Sequence, residues 1–238
     1  MLVALTYVSV TNLASVNHTN IGAADETVIV KSMKAVASKA VRKGGYHHGE
    51  LREALISATR RLLIERGAEN FSLADACRIA GVSTAAPYKH FRDKQEILQE
   101  IVERGFEELE ERSLAAVKRK GEGTLDGIVA MGQAYLAFAV AETAVFRLMF
   151  GQNAAIKQED GVQARGRSCF GNPIAQVSTY CARNGVKGDA QVIALELWTF
   201  VHGAACLVID QDYEKVAPGL DAAALIAQVS PRLLSKGS

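Results

Sequence analysis

The sequence is short of nearly every residue that would mark a fibrous, disulfide-rich or disordered chain. Its 238 residues hold only four prolines and 20 glycines, too few for a collagen-like or Pro/Gly-rich low-complexity chain. Four cysteines, Cys77, Cys169, Cys181 and Cys206, lie far apart with no C-x-x-C pair. A disulfide framework or zinc ribbon is therefore not expected, and a reducing compartment is the default. Charge of one sign is lacking too. The 27 Lys and Arg against 26 Asp and Glu leave a net of +1, which does not fit a highly charged disordered chain. No Lys or Arg precedes the apolar stretch Met1–Val10, and a secretory signal needs a positive leader. The longest apolar run, Val192–Ile209, is broken by Glu196, Thr199 and His202, so a buried helix is expected there rather than a membrane span. The expectation is a soluble, cytoplasmic protein with no membrane partner.

Catalytic signatures are missing as well. There is no G-x-S-x-G elbow, no phosphate-binding G-x-x-x-x-G-K-[ST] loop, no dinucleotide fingerprint and no H-E-x-x-H. A Cys–His pair drawn from four cysteines and five histidines has no local signature behind it. His202 and Cys206 have the spacing of two metal ligands on one helix, but no third ligand accompanies them. No enzyme, cofactor or metal is expected.

What is present is an uneven distribution of charge. Residues 33–95 hold twelve Lys or Arg and six Asp or Glu, whereas residues 96–238 hold fourteen and eighteen. A basic module on an acidic body suggests that one end meets a polyanion. Residues 1–44 lack sustained periodicity and end in a basic strip, so a disordered or weakly structured tail is expected. Met33 opens that strip, and translation starting there is a hypothesis. N-terminal mass spectrometry tests it, and a peptide from within 1–32 would rule it out.

Beyond Gly44-Gly45 the periodicity is helical throughout, with no bounded alternating run. Leu51, Ala54, Leu55, Ala58 and Leu62 form one stripe that Gly67 ends. Ser72 with Asp75 predicts a capping box for a short helix ending at Gly81, and a second short helix is expected over 84–91. Asp93 with Glu96 starts a long helix that fades near Lys120. Helices follow over 124–141, 142–150, 173–184, 190–209 and 220–234, with 151–171 undecided. About nine helices and an all-α fold are expected. The domain reading is a tail (1–44), a helix-turn-helix head (45–95) and a helical regulatory and dimerisation body (96–238).

The two short helices around Gly81-Val82-Ser83 form a helix-turn-helix. The run from Ser72 to Lys94 resembles the DNA-binding domain of the TetR/AcrR family of bacterial transcriptional regulators. The shared features are the A-G-V-S turn at Ala80–Ser83, the Y-x-H-F ending at Tyr88–Phe91 and the D-K pair Asp93-Lys94. Gly45–Gly49, Phe146–Phe150, Trp198 and His202-Gly203 resemble the subgroup with a Trp…His-Gly (WHG) C-terminal domain. The resemblance implies that Thr84, Ala85 and Tyr88 face the major groove, where Thr84 reaches a base edge and Ala85 a thymine methyl. Lys89 would meet a base or a phosphate, and His90 and Lys94 would meet phosphates, Lys94 beside a helix N-terminus. Arg42 and Lys43 would form a basic arm. One departure is Ala74, at a position where the family often carries Arg or Lys.

For the body the resemblance implies that the last two long helices pair with their copies in a homodimer, which reads a palindromic operator in double-stranded DNA. It also implies a small-molecule effector of unknown identity. Tyr135, Phe138, Phe146, Met149, Phe150, Trp198 and His202 are candidates to line its pocket, although aromatic and Met residues at helical spacing serve equally as plain core. The acidic series Glu100, Glu103, Glu107, Glu108, Glu110 and Glu111 reads as a solvated helix face. The expected function is a ligand-relieved repressor. The alternatives are a constitutive architectural DNA-binding dimer, favoured by a sealed core, and a helical-bundle carrier or enzyme with an incidental basic end.

Overall fold

A computed structural model describes residues 48–235, and no strand occurs among them. The tail, its basic residues Arg42 and Lys43, and the start proposed at Met33 lie outside the described residues. The elements in chain order are α1 (His48–Arg66), α2 (Leu73–Ala80), a 3-10 turn (Pro87–Lys89), α3 (Lys94–Lys120), α4 (Leu125–Ala141), α5 (Thr143–Phe150), α6 (Ala154–Lys157), α7 (Asp160–Asn184), α8 (Ala190–Ile209), α9 (Asp212–Val216) and α10 (Ala222–Leu234). The all-α expectation holds.

Local chemistry sets most of these boundaries. Oxygens of Ser72, Asp93, Thr124, Asp189 and Asp221 accept N–H groups in the first turns of α2, α3, α4, α8 and α10, satisfying donors that no helix can satisfy alone. At Ser72 the box is reciprocal. The Ser72 N–H donates to Asp75 Oδ2 at 2.8 Å and the Asp75 N–H to Ser72 Oγ at 3.2 Å. Hydrogen bonds from the Ser72 hydroxyl and then its amide hold the Asp75 carboxyl at about 2. Gly81 ends α2 at φ 71°, a left-handed turn that lets the Val82 N–H reach back to the Cys77 carbonyl at 3.0 Å.

Two expectations fail. Residues 84–91 do not form an α-helix but a turn closed by the Ala86 N–H on the Ser83 carbonyl, followed by the 3-10 turn. Pro87 has no N–H to give to Ser83, so the regular ladder cannot start before it. The helix expected from Pro173 instead begins at Asp160 and runs through the proline. Two of its glycines, Gly161 and Gly166, lie against α3. A Cβ on Gly161 would strike the Glu103 carboxylate, and one on Gly166 would sit 3.6 Å from the Phe106 ring. Close packing of α7 on α3 outweighs a propensity cost of about 1 kcal/mol per glycine.

One apolar cluster runs from the head into the body without a break, from Leu55, Leu62, Cys77 and Phe91 through Ile97 and Ile101 to Phe138, Phe146 and Ile226. A second, around Val177, Ile193, Leu197 and Leu234, fills the far end of the body. The helix α3 packs against α1, α4, α5 and α7 and so belongs to both head and body. Gly105 on α3 permits its approach to α5, since a Cβ there would lie 2.7 Å from Met149 Sδ and 2.8 Å from Val145 Cγ1. By length and composition α8 could cross a membrane, but Ile193, Ala194, Leu197, Val201, Ala204 and Ala205 are buried within the fold.

The acidic series on α3 is not simply a solvated face. Glu100 accepts both arms of the Arg52 guanidinium at 2.7 and 2.8 Å, and Arg104 bridges Glu100 and Glu53. Arg60 reaches Glu142 at 2.7 Å and Glu108 at 3.6 Å, while Glu107 pairs with Arg165. Helical periodicity shows that these carboxylates share a side, but not that arginines from α1 and α7 meet them there.

Candidate functional site

The turn between α2 and α3 presents a compact polar surface. Thr84, Ala85, Tyr88 and Lys89 are all exposed, and Tyr88 keeps 64% of its surface open. What holds them outward is buried beneath. Pro87 and Phe91 face the core, the Phe91 N–H closes on the Pro87 carbonyl at 2.9 Å, and the Arg52 guanidinium lies 5.1 Å over the Phe91 ring. The segment thus offers one hydroxyl, one methyl, one phenol and one ammonium on a rigid short loop, a set able to reach base edges and phosphates.

The flanking cations differ from one another. Lys94 is half-buried, donates to the Phe71 carbonyl at 2.7 Å and lies 4.3 Å over the Phe71 ring. It fastens α3 to the start of α2, and its remaining two N–H donors are what a phosphate could use. His90 is half-buried. Arg92, which the sequence reading passed over, projects from this surface with 83% of its side chain exposed and leans on Glu96 at 3.2 Å. The R-D-K run ahead of α3 was the available signal. Ala74, the departure from the family pattern, is exposed and brings no charge.

The body contains a cavity of about 320 Å³ bounded by α3, α4, the end of α5, α7, α8 and α10, in the size range of small-molecule sites. Of the seven residues expected in a pocket, Tyr135, Phe150 and Trp198 line it. Phe138, Phe146 and Met149 are buried in the core outside its lining. His202 stands behind the wall, its ring 5.3 Å from Trp198 and 4.9 Å from Phe150. Lining residues missed by the sequence reading include Phe106, Glu110, Met131, Cys169, Phe170, Asn172 and Gln176. Three of these belong to the part of α7 before Pro173, the stretch whose helix went unread.

Behind the cavity wall the polar groups form a chain. Tyr135 Oη lies 2.8 Å from His202 Nδ1, and His202 Nε2 lies 3.7 Å from Cys206 Sγ. Burial raises the Tyr135 phenol well above its usual value and pushes the Cys169 thiol up to about 12. Burial, and then the Lys157 ammonium, lower His202 below its ordinary value.

The sign of that last shift gives a prediction. The unfolded chain takes up the His202 proton first, so the stability due to the neutral ring is complete above about pH 6.5 and is lost as pH falls through the lower folded value. The urea midpoint is expected to drop on acidification from about pH 7 to about pH 5, and His202→Gln to flatten that dependence. Equal slopes in both proteins would rule this role out.

A helical head with an exposed polar turn, joined to a body with a cavity, is the layout expected of a helix-turn-helix DNA-binding regulator. Comparison with known proteins agrees. Residues 55–101 match the model of "Bacterial regulatory proteins, tetR family", and residues 128–229 match "Tetracyclin repressor-like, C-terminal domain". A protein of unknown function from Rhodococcus sp. RHA1 is 30% identical with a TM-score of 0.71, over 82% of this chain and 98% of that one. The TetR family transcriptional regulator PfmR from Thermus thermophilus shares the fold at 17% identity and a TM-score of 0.57, over 76% of this chain and 96% of that one. The HTH-type transcriptional repressor BepR of Brucella suis biovar 1 (strain 1330) is 38% identical over 69 residues, 29% of this chain and 33% of that repressor's length. The chain belongs to the TetR family of DNA-binding transcriptional regulators.

Proposed function

We propose that the protein is a cytoplasmic repressor that binds a palindromic operator as a homodimer and is released by a small molecule held in the body. The observation that carries this reading is the placement of the cavity. Its wall includes Phe106, Leu109, Glu110 and Ser113 of α3, the same helix whose N-terminal Lys94 is fastened to the head. A ligand that prefers one setting of α3 alters the separation of two heads, so ligand and operator oppose each other reciprocally. The constitutive-dimer alternative called for a sealed core, and the cavity speaks against it. Trp198 and His202, two residues of the WHG pattern, would here be a wall of the ligand site and its support.

Dimerisation is supported by a matched surface on α7 and α8, which pack side by side. On α7 the exposed residues Ala164, Ser168, Gly171, Ala175, Ser178 and Ala182 recur at helical spacing and are all small. On α8, Val192, Leu195 and Leu207 are exposed, and nothing stands near Gly203. The expectation places the interface on the last two long helices, and α7 and α8, of 25 and 20 residues, are the long pair that this surface offers.

Selection of bound sequences from random duplex DNA tests the reading directly, with a palindrome as the expected product. Once an operator is known, Thr84→Ala is expected to change preference at one base position. Lys89→Ala is expected to weaken all sequences together and to reduce the salt slope by about 0.9. If both variants bind as the unsubstituted protein does, the contact assignment is wrong.

A further inference from the structure

The cavity has a charge signature that narrows what it can hold. Its lining contains one charged group, the Glu110 carboxylate, and no Lys, Arg or His. Elsewhere on α3 the carboxylates of Glu100, Glu107 and Glu108 each face an arginine. Glu110 instead accepts from the Asn172 amide at 2.7 Å and, more weakly, from the Ser168 hydroxyl at 3.5 Å. Among the described residues it has no cationic partner. Aromatic rings line the same cavity, with Phe170 edge-on to Trp198 at 5.7 Å and Phe106 edge-on to Phe150 at 5.8 Å.

We propose that this cavity selects a lipophilic organic cation, an aryl-bearing quaternary or protonated amine, whose charge is neutralised by Glu110. The inference rests on the ligand-relieved reading above and deepens it. An anionic ligand would enter a site with no cation to receive it and one carboxylate to repel it. A neutral ligand would cover part of the half-buried Glu110 carboxylate and offer it no counter-charge. Only a cation supplies an opposite charge, and its apolar substituents meet rings whose faces attract it further. A volume of about 320 Å³ suits a body of roughly two rings.

Three probes of one shape separate the possibilities in the full-length protein: biphenylmethyl-trimethylammonium, its uncharged carbon isostere neopentylbiphenyl, and the anion biphenylacetate. Trp198, the single tryptophan of the chain, lies in the cavity wall, so its fluorescence reports binding alongside calorimetry. The cation is expected to bind at least tenfold more tightly than either relative. Glu110→Gln, which keeps an acceptor for Asn172, is expected to abolish that preference. Glu110→Lys is expected to transfer it to biphenylacetate. Circular dichroism melts establish that each variant is folded. Equal binding of the isostere or the anion, no binding of any probe, or an unchanged cation affinity in folded Glu110→Gln would each overturn the inference. Operator release is measured separately. If the cation binds through Glu110 without releasing DNA, the cavity chemistry stands and the ligand-relieved reading fails.

Discussion

Gly171→Arg is expected to leave a folded monomer whose operator affinity falls about a hundred- to ten-thousandfold. The substitution costs the single chain nothing sterically, because a Cβ at Gly171 has no neighbour within 4 Å. Replacing an interior helical glycine should even strengthen α7, by about 1 kcal/mol. What it removes is close approach. Gly171 lies midway along the small-residue face of α7, and an arginine there holds a partner helix several ångströms away. Each head then binds alone, and the gain from having a second head tethered beside the first is lost. Sedimentation equilibrium and operator titration measure the two consequences independently. A dimer with unchanged affinity would place the interface elsewhere, whereas a monomer with unchanged affinity would show that one head suffices.

Phe91→Ala is expected to cost about 3–5 kcal/mol, a large share of the 5–15 kcal/mol typical of a whole domain. Phe91 keeps 2% of its surface exposed. It is the keel of the exposed turn, joined to Pro87 through the backbone and to Arg52 through its ring. Without it the turn loses its support, and Thr84, Tyr88 and Lys89 lose their fixed directions. Operator binding should therefore disappear under conditions where Trp198, in the distant body, still shows native fluorescence. Urea titration followed by Trp198 emission, with amide exchange in the head, measures both effects. A loss below about 1 kcal/mol, or retained operator affinity, would contradict this role.

Much of the head was legible because its signals are local. A Ser and an Asp three residues apart cap a helix wherever they occur, and Gly81 marks a left-handed turn by its residue type. The start of α3 at Asp93, the end of α1 near Gly67 and the whole of α8 follow the same logic. The readings that failed depended on distance. Glycines at 161 and 166 look like helix breakers until α3 is seen lying against them, and the helix they belong to supplies Cys169, Phe170 and Asn172 to the cavity. Aromatic periodicity picked out Tyr135, Phe150 and Trp198 but could not distinguish wall from interior, since Phe138, Phe146 and Met149 have the same spacing and chemistry. Glu110 went unnoticed for the same reason. In sequence it is one of six similar carboxylates, and only the packing of the other helices shows that it alone of the six lines the cavity.

The near-zero net charge is likewise an average over two unlike halves, one carrying the exposed cations and the other the carboxylates that hold α3 in place. One mechanical consequence remains. Lys94 and Glu110 are sixteen residues apart on one continuous helix, a rod of about 24 Å at 1.5 Å per residue. Gly105 sits between them, where α3 lies close against α5. A tilt of about five degrees about that contact would carry the ends of the rod in opposite directions, by roughly 2 Å over its full length. Two heads moving this way on opposite sides of a dimer would change their spacing by a few ångströms, about the rise of one base pair. So small a rotation is enough to put both reading turns out of step with the double helix.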